Sequence, residues 1–112
     1  TISFPHGDSA GYDLIAEFEG KVTRIQVKAT ETNAAGVYRV CVRRNKSRGS
    51  SYGLEDCDVV IASAPFAQFI IPVLKLGVRS IRVWEPGTNR GYKTSPVCQW
   101  EEYREAWHLL KP

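Results

Sequence analysis

A carboxylate, an amide and an ammonium, those of Asp13, Gln26 and Lys28, sit in two β-prone runs, Tyr12 to Phe18 and Val22 to Ala29, joined at Glu19-Gly20. Taken as a two-residue hairpin turn, Glu19-Gly20 pairs Phe18 with Lys21 and sets Asp13 directly opposite Gln26. Strand alternation then sorts the side chains. Tyr12, Leu14, Ala16, Ile25 and Val27 point to a core face, and Asp13, Ile15, Glu17, Arg24, Gln26 and Lys28 to the other. Opposed Cβ atoms lie roughly 5 Å apart with Lys28 one diagonal step away, near enough to share one ion and one water. The same residue types also suit the solvated face of an ordinary hairpin. The pattern by itself leaves both readings open.

The elements that must position these residues follow from local composition. Thr1-Ile2-Ser3-Phe4 reads as a strand already under way, and a turn rich in Gly, Asp and Ser follows from His6 to Gly11. Val37 to Arg43 predicts a third strand, and the polar stretch Asn45 to Gly53 an exposed loop. Val59-Val60-Ile61-Ala62 is a continuous apolar run, expected of a strand covered on both faces. Phe69 to Val73 and Val78 to Trp84 supply two further strands, punctuated by Pro65, Pro72 and Gly77. Glu85 to Pro96 reads as loop. Tyr103, Trp107 and Leu110 fall at helical spacing after Glu101 and Glu102, which predicts one helix covering the sheet and ending at Pro112.

With 112 residues, 43% of them apolar and 24% charged, the chain suffices for one packed core, so 1–112 is read as a single domain. It contains no run of 18 uncharged apolar residues and opens on no signal-peptide pattern. The expectation is a cytoplasmic protein without membrane association. Cys41, Cys57 and Cys98 form no C-x-x-C pair and are an odd number, which argues for buried free thiols against a disulfide framework or a zinc site. The net charge is +3, but Arg39, Arg43, Arg44, Lys46 and Arg48 share a stretch from Thr32 to Leu54 that contains no acid, and this points to a polyanionic partner.

Pro5, Asp8, Tyr12-Asp13-Leu14-Ile15 and Arg24-Ile25-Gln26-Val27-Lys28-Ala29-Thr30 together resemble the PD-(D/E)-x-K nucleases, and within them the group I intron homing endonucleases, where glutamine stands for the second acid. Tyr52, Asp56-Cys57-Asp58-Val59-Val60, Ile70-Ile71-Pro72 and the tryptophan-rich end are similar to the order of elements in that branch. The resemblance implies a restriction-endonuclease-like α/β fold, a mixed sheet with flanking helices. It also implies Mg²⁺-dependent hydrolysis of phosphodiesters in double-stranded DNA, and assembly into a homo-oligomer. Members of the branch usually begin with a helix whose glutamate supports the metal site. Nothing before Thr1 supplies it, so the expected fold lacks that helix and the chain reads as a piece of a longer one.

Phosphodiester hydrolysis needs a hard cation on the scissile oxygens, a positioned water and charge compensation. On the resemblance, Asp13 binds Mg²⁺ (or Mn²⁺) through its carboxylate, the Gln26 side-chain oxygen and the Val27 carbonyl complete the protein ligands, and Lys28 orients or deprotonates the water. Glutamine in place of an acid removes one negative charge, so intrinsic metal affinity is expected to be weaker until a DNA phosphate joins the shell. Arg43, Arg44, Lys46 and Arg48 are candidate phosphate contacts, although charged loops are commonly just solvated.

The other polar residues are assigned bland roles. Asp8 suits the turn better than a metal, and Asp56 and Asp58 suit a loop end paired with arginine. His6 and His108 lack ligand spacing, and Trp84, Trp100 and Trp107 are expected in the core ahead of base stacking. Two other functions are carried beside the homing reading, a junction-resolving or repair nuclease and a DNA-binding module without catalysis. Gln26 argues against the first, and retention of Asp13 and Lys28 against the second.

Overall fold

The computed structural model describes residues 2–3, 13–34, 36–45, 50–78, 80–86 and 98–112. Strands β1 (Ile2–Ser3), β2 (Leu14–Phe18), β3 (Lys21–Ala34), β4 (Val37–Cys41), β7 (Val59–Ser63), β8 (Gln68–Pro72) and β9 (Ser80–Val83) form one mixed sheet, and β5 (Arg43–Asn45) pairs with β6 (Ser50–Ser51) in a separate ribbon. The β2–β3 turn has positive φ at both Glu19 and Gly20, the geometry whose twist matches the flanking strands. The Gly20 amide donates to the Glu17 carboxylate at 2.8 Å. The resulting register pairs Phe18 with Lys21 and Leu14 with Ile25, as the turn predicts.

Strand β3 organises the sheet because it serves three partners in turn. It pairs with β2 up to Ile25, runs parallel to β7 from Ile25 to Ala29, and pairs with β4 beyond Thr30. Ile25 therefore has a strand on both edges. A register shift between Thr30 and Thr32 marks a bulge, which bends the strand as it changes partner.

The apolar run of β7 is covered on both faces, as expected. Val60 and Ala62 enter the larger core with Val40, Phe69, Ile71, Ile81 and Val83, while Val59 and Ile61 enter a smaller one with Ala16, Ile25, Ile70 and Leu110. Each of the Val, Ile, Leu and Phe side chains among them contributes roughly 1.5–3 kcal/mol by leaving water. The three cysteines are buried and no disulfide joins them.

Some elements depart from the sequence expectation. The strand expected to run through Val73 ends at Pro72, and Val73–Leu76 closes a single helical turn (α1) that Gly77 stops at φ 56°. Part of the stretch read as loop, Ser50–Ser51, is a strand.

The expected C-terminal helix is instead two short 3₁₀ segments, Glu101–Tyr103 and Trp107–Leu110. The break has a tertiary cause. Arg104 is extended and bridges Phe69, the Glu105 amide donates to the Gln68 carbonyl at 2.7 Å, and the Gln68 amide donates to the Glu105 carboxylate at 2.6 Å. These bonds cover the edge of β8, which would otherwise present unpaired backbone groups. Glu105 takes φ 49° to make them. The Gln68 amide and the Trp107 indole N–H, both donating to Glu105, hold its carboxyl below the ordinary glutamate range.

Candidate active site

Asp13 stands immediately before β2, where that strand parts from β3. Its amide donates to the Ile25 carbonyl at 2.7 Å, which fixes the backbone. Its carboxylate then replaces the missing strand. Oδ2 accepts from the Val27 amide at 2.9 Å and from the Gln26 side-chain Nε2 at 2.9 Å, leaving Oδ1 without a partner among the described residues. Nε2 also lies 3.5 Å from the Val27 carbonyl oxygen. One carboxylate oxygen and one backbone carbonyl thus converge on a single point, which the positive end of the Gln26 amide fills.

Gln26 is 9% exposed and Asp13 is exposed, so a polar cluster sits at the rim of the larger core. The parallel ladder puts Gln26 beside Val60 and Lys28 beside Ala62. The face that carries the candidate site is therefore also the face of the larger core. Lys28 is half-buried, with its Nζ 5.5 Å from the centre of the Tyr52 ring, and no carboxylate among the described residues lies within ion-pairing range of it. The ring face attracts the cationic head and helps to hold it in place. The contact of Tyr52, buried in the larger core, with Lys28 is one that local sequence could not reveal, since it depends on how the segment after β6 returns to the sheet.

These donors fit a hard divalent cation. A carboxylate, a carbonyl and an amide that can turn its oxygen inward are all oxygen ligands, and neither thiolate nor imidazole stands among them. The amide orientation follows from the hydrogen bonds it makes. No group of three or more His, Cys, Asp or Glu side chains arranged to hold a metal ion occurs among the described residues, so any cation here would lean on carbonyl, amide and phosphate oxygens beside one acid.

Other expected residues fall as follows. Val27 shares the strand face of Ile25 but is 37% exposed, which corrects its placement in the core: β2 has parted from β3 by this point. The side chains of Arg43 and Arg44, all of Lys46 and Arg48, and Asp8 and His6 lie outside the described residues. Trp84 and Trp100 are buried in the larger core, whereas Trp107 is 42% exposed and donates to Glu105 at 2.7 Å.

Arg24, on the site face, is drawn away from the cluster by Asp58. The carboxylate accepts from the Arg24 amide at 2.8 Å and pairs with the guanidinium at 3.2 Å, and Arg24 Nη2 also donates to the Leu54 carbonyl. Partial burial pushes the Asp58 carboxyl up, but the hydrogen bonds and charge of Arg24 outweigh it and hold the group below the ordinary aspartate range. A depressed carboxyl stabilises the fold above its unfolded pKa of about 3.9, and the contribution is lost as pH falls through the lower folded value. Asp58→Asn is thus expected to lower the thermal midpoint at pH 7 by a few degrees, about 1 kcal/mol or less because the pair is partly solvated. The gap from the wild type should close as pH falls below about 4. A gap that persists at pH 2 would show that charge is not its source.

The chain is similar to known proteins in both sequence and fold. The profile of a family described as PD-(D/E)XK endonuclease matches residues 1–86. A bacterial homing endonuclease, I-Ssp6803I, superposes with a TM-score of 0.70 at 30% identity, covering 97% of this chain and 74% of that one. No curated protein sequence gives a significant match.

Proposed function

Because the chain belongs to the PD-(D/E)XK endonuclease family, we propose that it cuts double-stranded DNA in a Mg²⁺-dependent reaction of the homing-endonuclease type, at a site made of Asp13, Gln26, Val27 and Lys28. The observation that carries this reading is the convergence of the Asp13 carboxylate, the Gln26 amide and the Val27 carbonyl, with Lys28 two residues along the same strand face. Asp13, the Gln26 side-chain oxygen and the Val27 carbonyl would hold the ion, with Mn²⁺ as its closest substitute. When bound, it supplies charge to the scissile phosphate and acidifies water.

The chain's own residues do the rest. Asp13 fixes the end of the β2–β3 ladder and so the spacing of the ligands. Lys28, held over Tyr52, orients the attacking water as an ammonium or, as a neutral amine, takes its proton, and in either case its positive charge then offsets charge as the phosphorus becomes five-coordinate. Arg43, Arg44, Lys46 and Arg48 belong to the proposal as phosphate contacts, and self-association as the state in which two strands are cut. The likeness to a bacterial homing endonuclease, together with Gln26, favours this reading over a junction resolvase.

A metal titration of cleavage tests it. The full-length protein should nick a plasmid library carrying randomised inserts when Mg²⁺ or Mn²⁺ is present, and not in chelator. Gln26→Glu restores the second acid and should reach half-maximal nicking at severalfold lower Mg²⁺, since each added carboxylate strengthens a hard-cation site. Nicking that is insensitive to chelator would overturn the metal-dependent reading.

A further inference from the structure

The ladder between β4 and β9 sets Arg39 directly opposite Arg82. Both are exposed, while the adjacent Val40 and Ile81 point through the sheet into the larger core. Residues opposed in this way have Cβ atoms roughly 5 Å apart, and like charges there destabilise the ladder. Neither guanidinium has a carboxylate within ion-pairing range among the described residues, where the paired acids Asp58, Glu85 and Glu101 are engaged by Arg24 and Arg104. Alternation puts the pair on the same side of the sheet as Val27 and Ala29, both exposed and small, so a broad ligand can approach. Beside Arg82 opens a cavity of about 270 Å³ with Ser80 and Gln99 in its wall. Two forks that no described carboxylate neutralises, on a rigid sheet and flanked by neutral hydrogen-bonding groups, match the spaced oxygens of a phosphodiester backbone.

We propose that Arg39 and Arg82 form a clamp for the DNA backbone on the side of the sheet turned away from Gln26 and Lys28, gripping duplex that flanks the cut. The assignment rests on the DNA reading above. The basic stretch around Arg43 was visible in sequence, but the Arg39–Arg82 juxtaposition arises only from strand pairing.

The test is equilibrium binding of a fluorescent random-sequence DNA duplex to the full-length protein in Ca²⁺, between 50 and 200 mM salt, for the wild type and for the double variant Arg39→Gln, Arg82→Gln. Each phosphate contact contributes about 0.9 to the slope of log affinity against log salt. The double variant should bind more weakly with a slope shallower by about two, so that the wild type's advantage shrinks about tenfold across this range. Its thermal midpoint without DNA should be no lower than that of the wild type, because a repulsion has been removed. A wild type that does not bind duplex DNA would defeat the DNA reading itself. A wild type that binds, beside a variant of unchanged slope or lowered midpoint, would overturn the clamp alone.

Discussion

Replacing Asp13 with alanine is expected to reduce DNA cleavage by about a thousandfold or more while duplex binding in Ca²⁺ persists. Asp13 is the one acid in the cluster among the described residues, so its loss is expected to leave an ion only neutral oxygens. Removing an acid cannot weaken attraction to phosphate, which separates this residue from a patch that merely binds DNA. The substitution also deletes the acceptor for the Val27 amide and the Gln26 Nε2. That costs about 1 kcal/mol at this exposed position. Asp13→Asn keeps an acceptor for the Val27 amide and removes only the charge. If the role is electrostatic, both variants lose cleavage; if Asp13 only caps the end of the ladder, the asparagine variant keeps it. Single-turnover cleavage beside thermal midpoints distinguishes the two.

Lys28→Ala should lower the single-turnover rate roughly a hundredfold or more, the scale of a general acid-base group or of one charge compensating the transition state. Affinity for duplex DNA should fall only slightly, since one lysine among many basic residues contributes about one unit of salt slope. The ammonium lies over the Tyr52 ring with no acid in ion-pairing range among the described residues, so its removal orphans no buried partner charge and the fold should survive. Lys28→Arg is not a rescue, because a guanidinium, although it can stack on that ring, stays protonated and cannot take a proton from water. A rate within threefold of the wild type for Lys28→Ala would return Lys28 to the solvated surface.

Much of the site is legible in sequence because it is local. A two-residue turn fixes the register, the register fixes which residues share a face, and Asp13, Gln26 and Lys28 follow from counting. The doubly covered strand β7 is legible for a similar reason, since four apolar residues in a row leave no polar face. What sequence could not show depends on partners distant along the chain. The Arg104–Glu105 segment forgoes a helix to pair with Phe69 and Gln68, and no helical period predicts that competition. Val27 is exposed because β2 parts from β3 beside it, and Tyr52 meets Lys28 only after the sheet has assembled. Arg39 opposite Arg82 is likewise a product of topology, with the two residues far apart in sequence.

The central claim is that Asp13, Gln26 and Lys28 form an endonuclease centre, and one measurement tests it most directly. Single-turnover cleavage of duplex DNA by the full-length protein should be compared in Mg²⁺ for the wild type, Asp13→Ala and Lys28→Ala, at enzyme concentrations that saturate binding. The wild type should cleave, Asp13→Ala should show no detectable cleavage, and Lys28→Ala should be slower by about two orders of magnitude. Cleavage at the wild-type rate by both variants would contradict the claim and place the chemistry elsewhere in the chain.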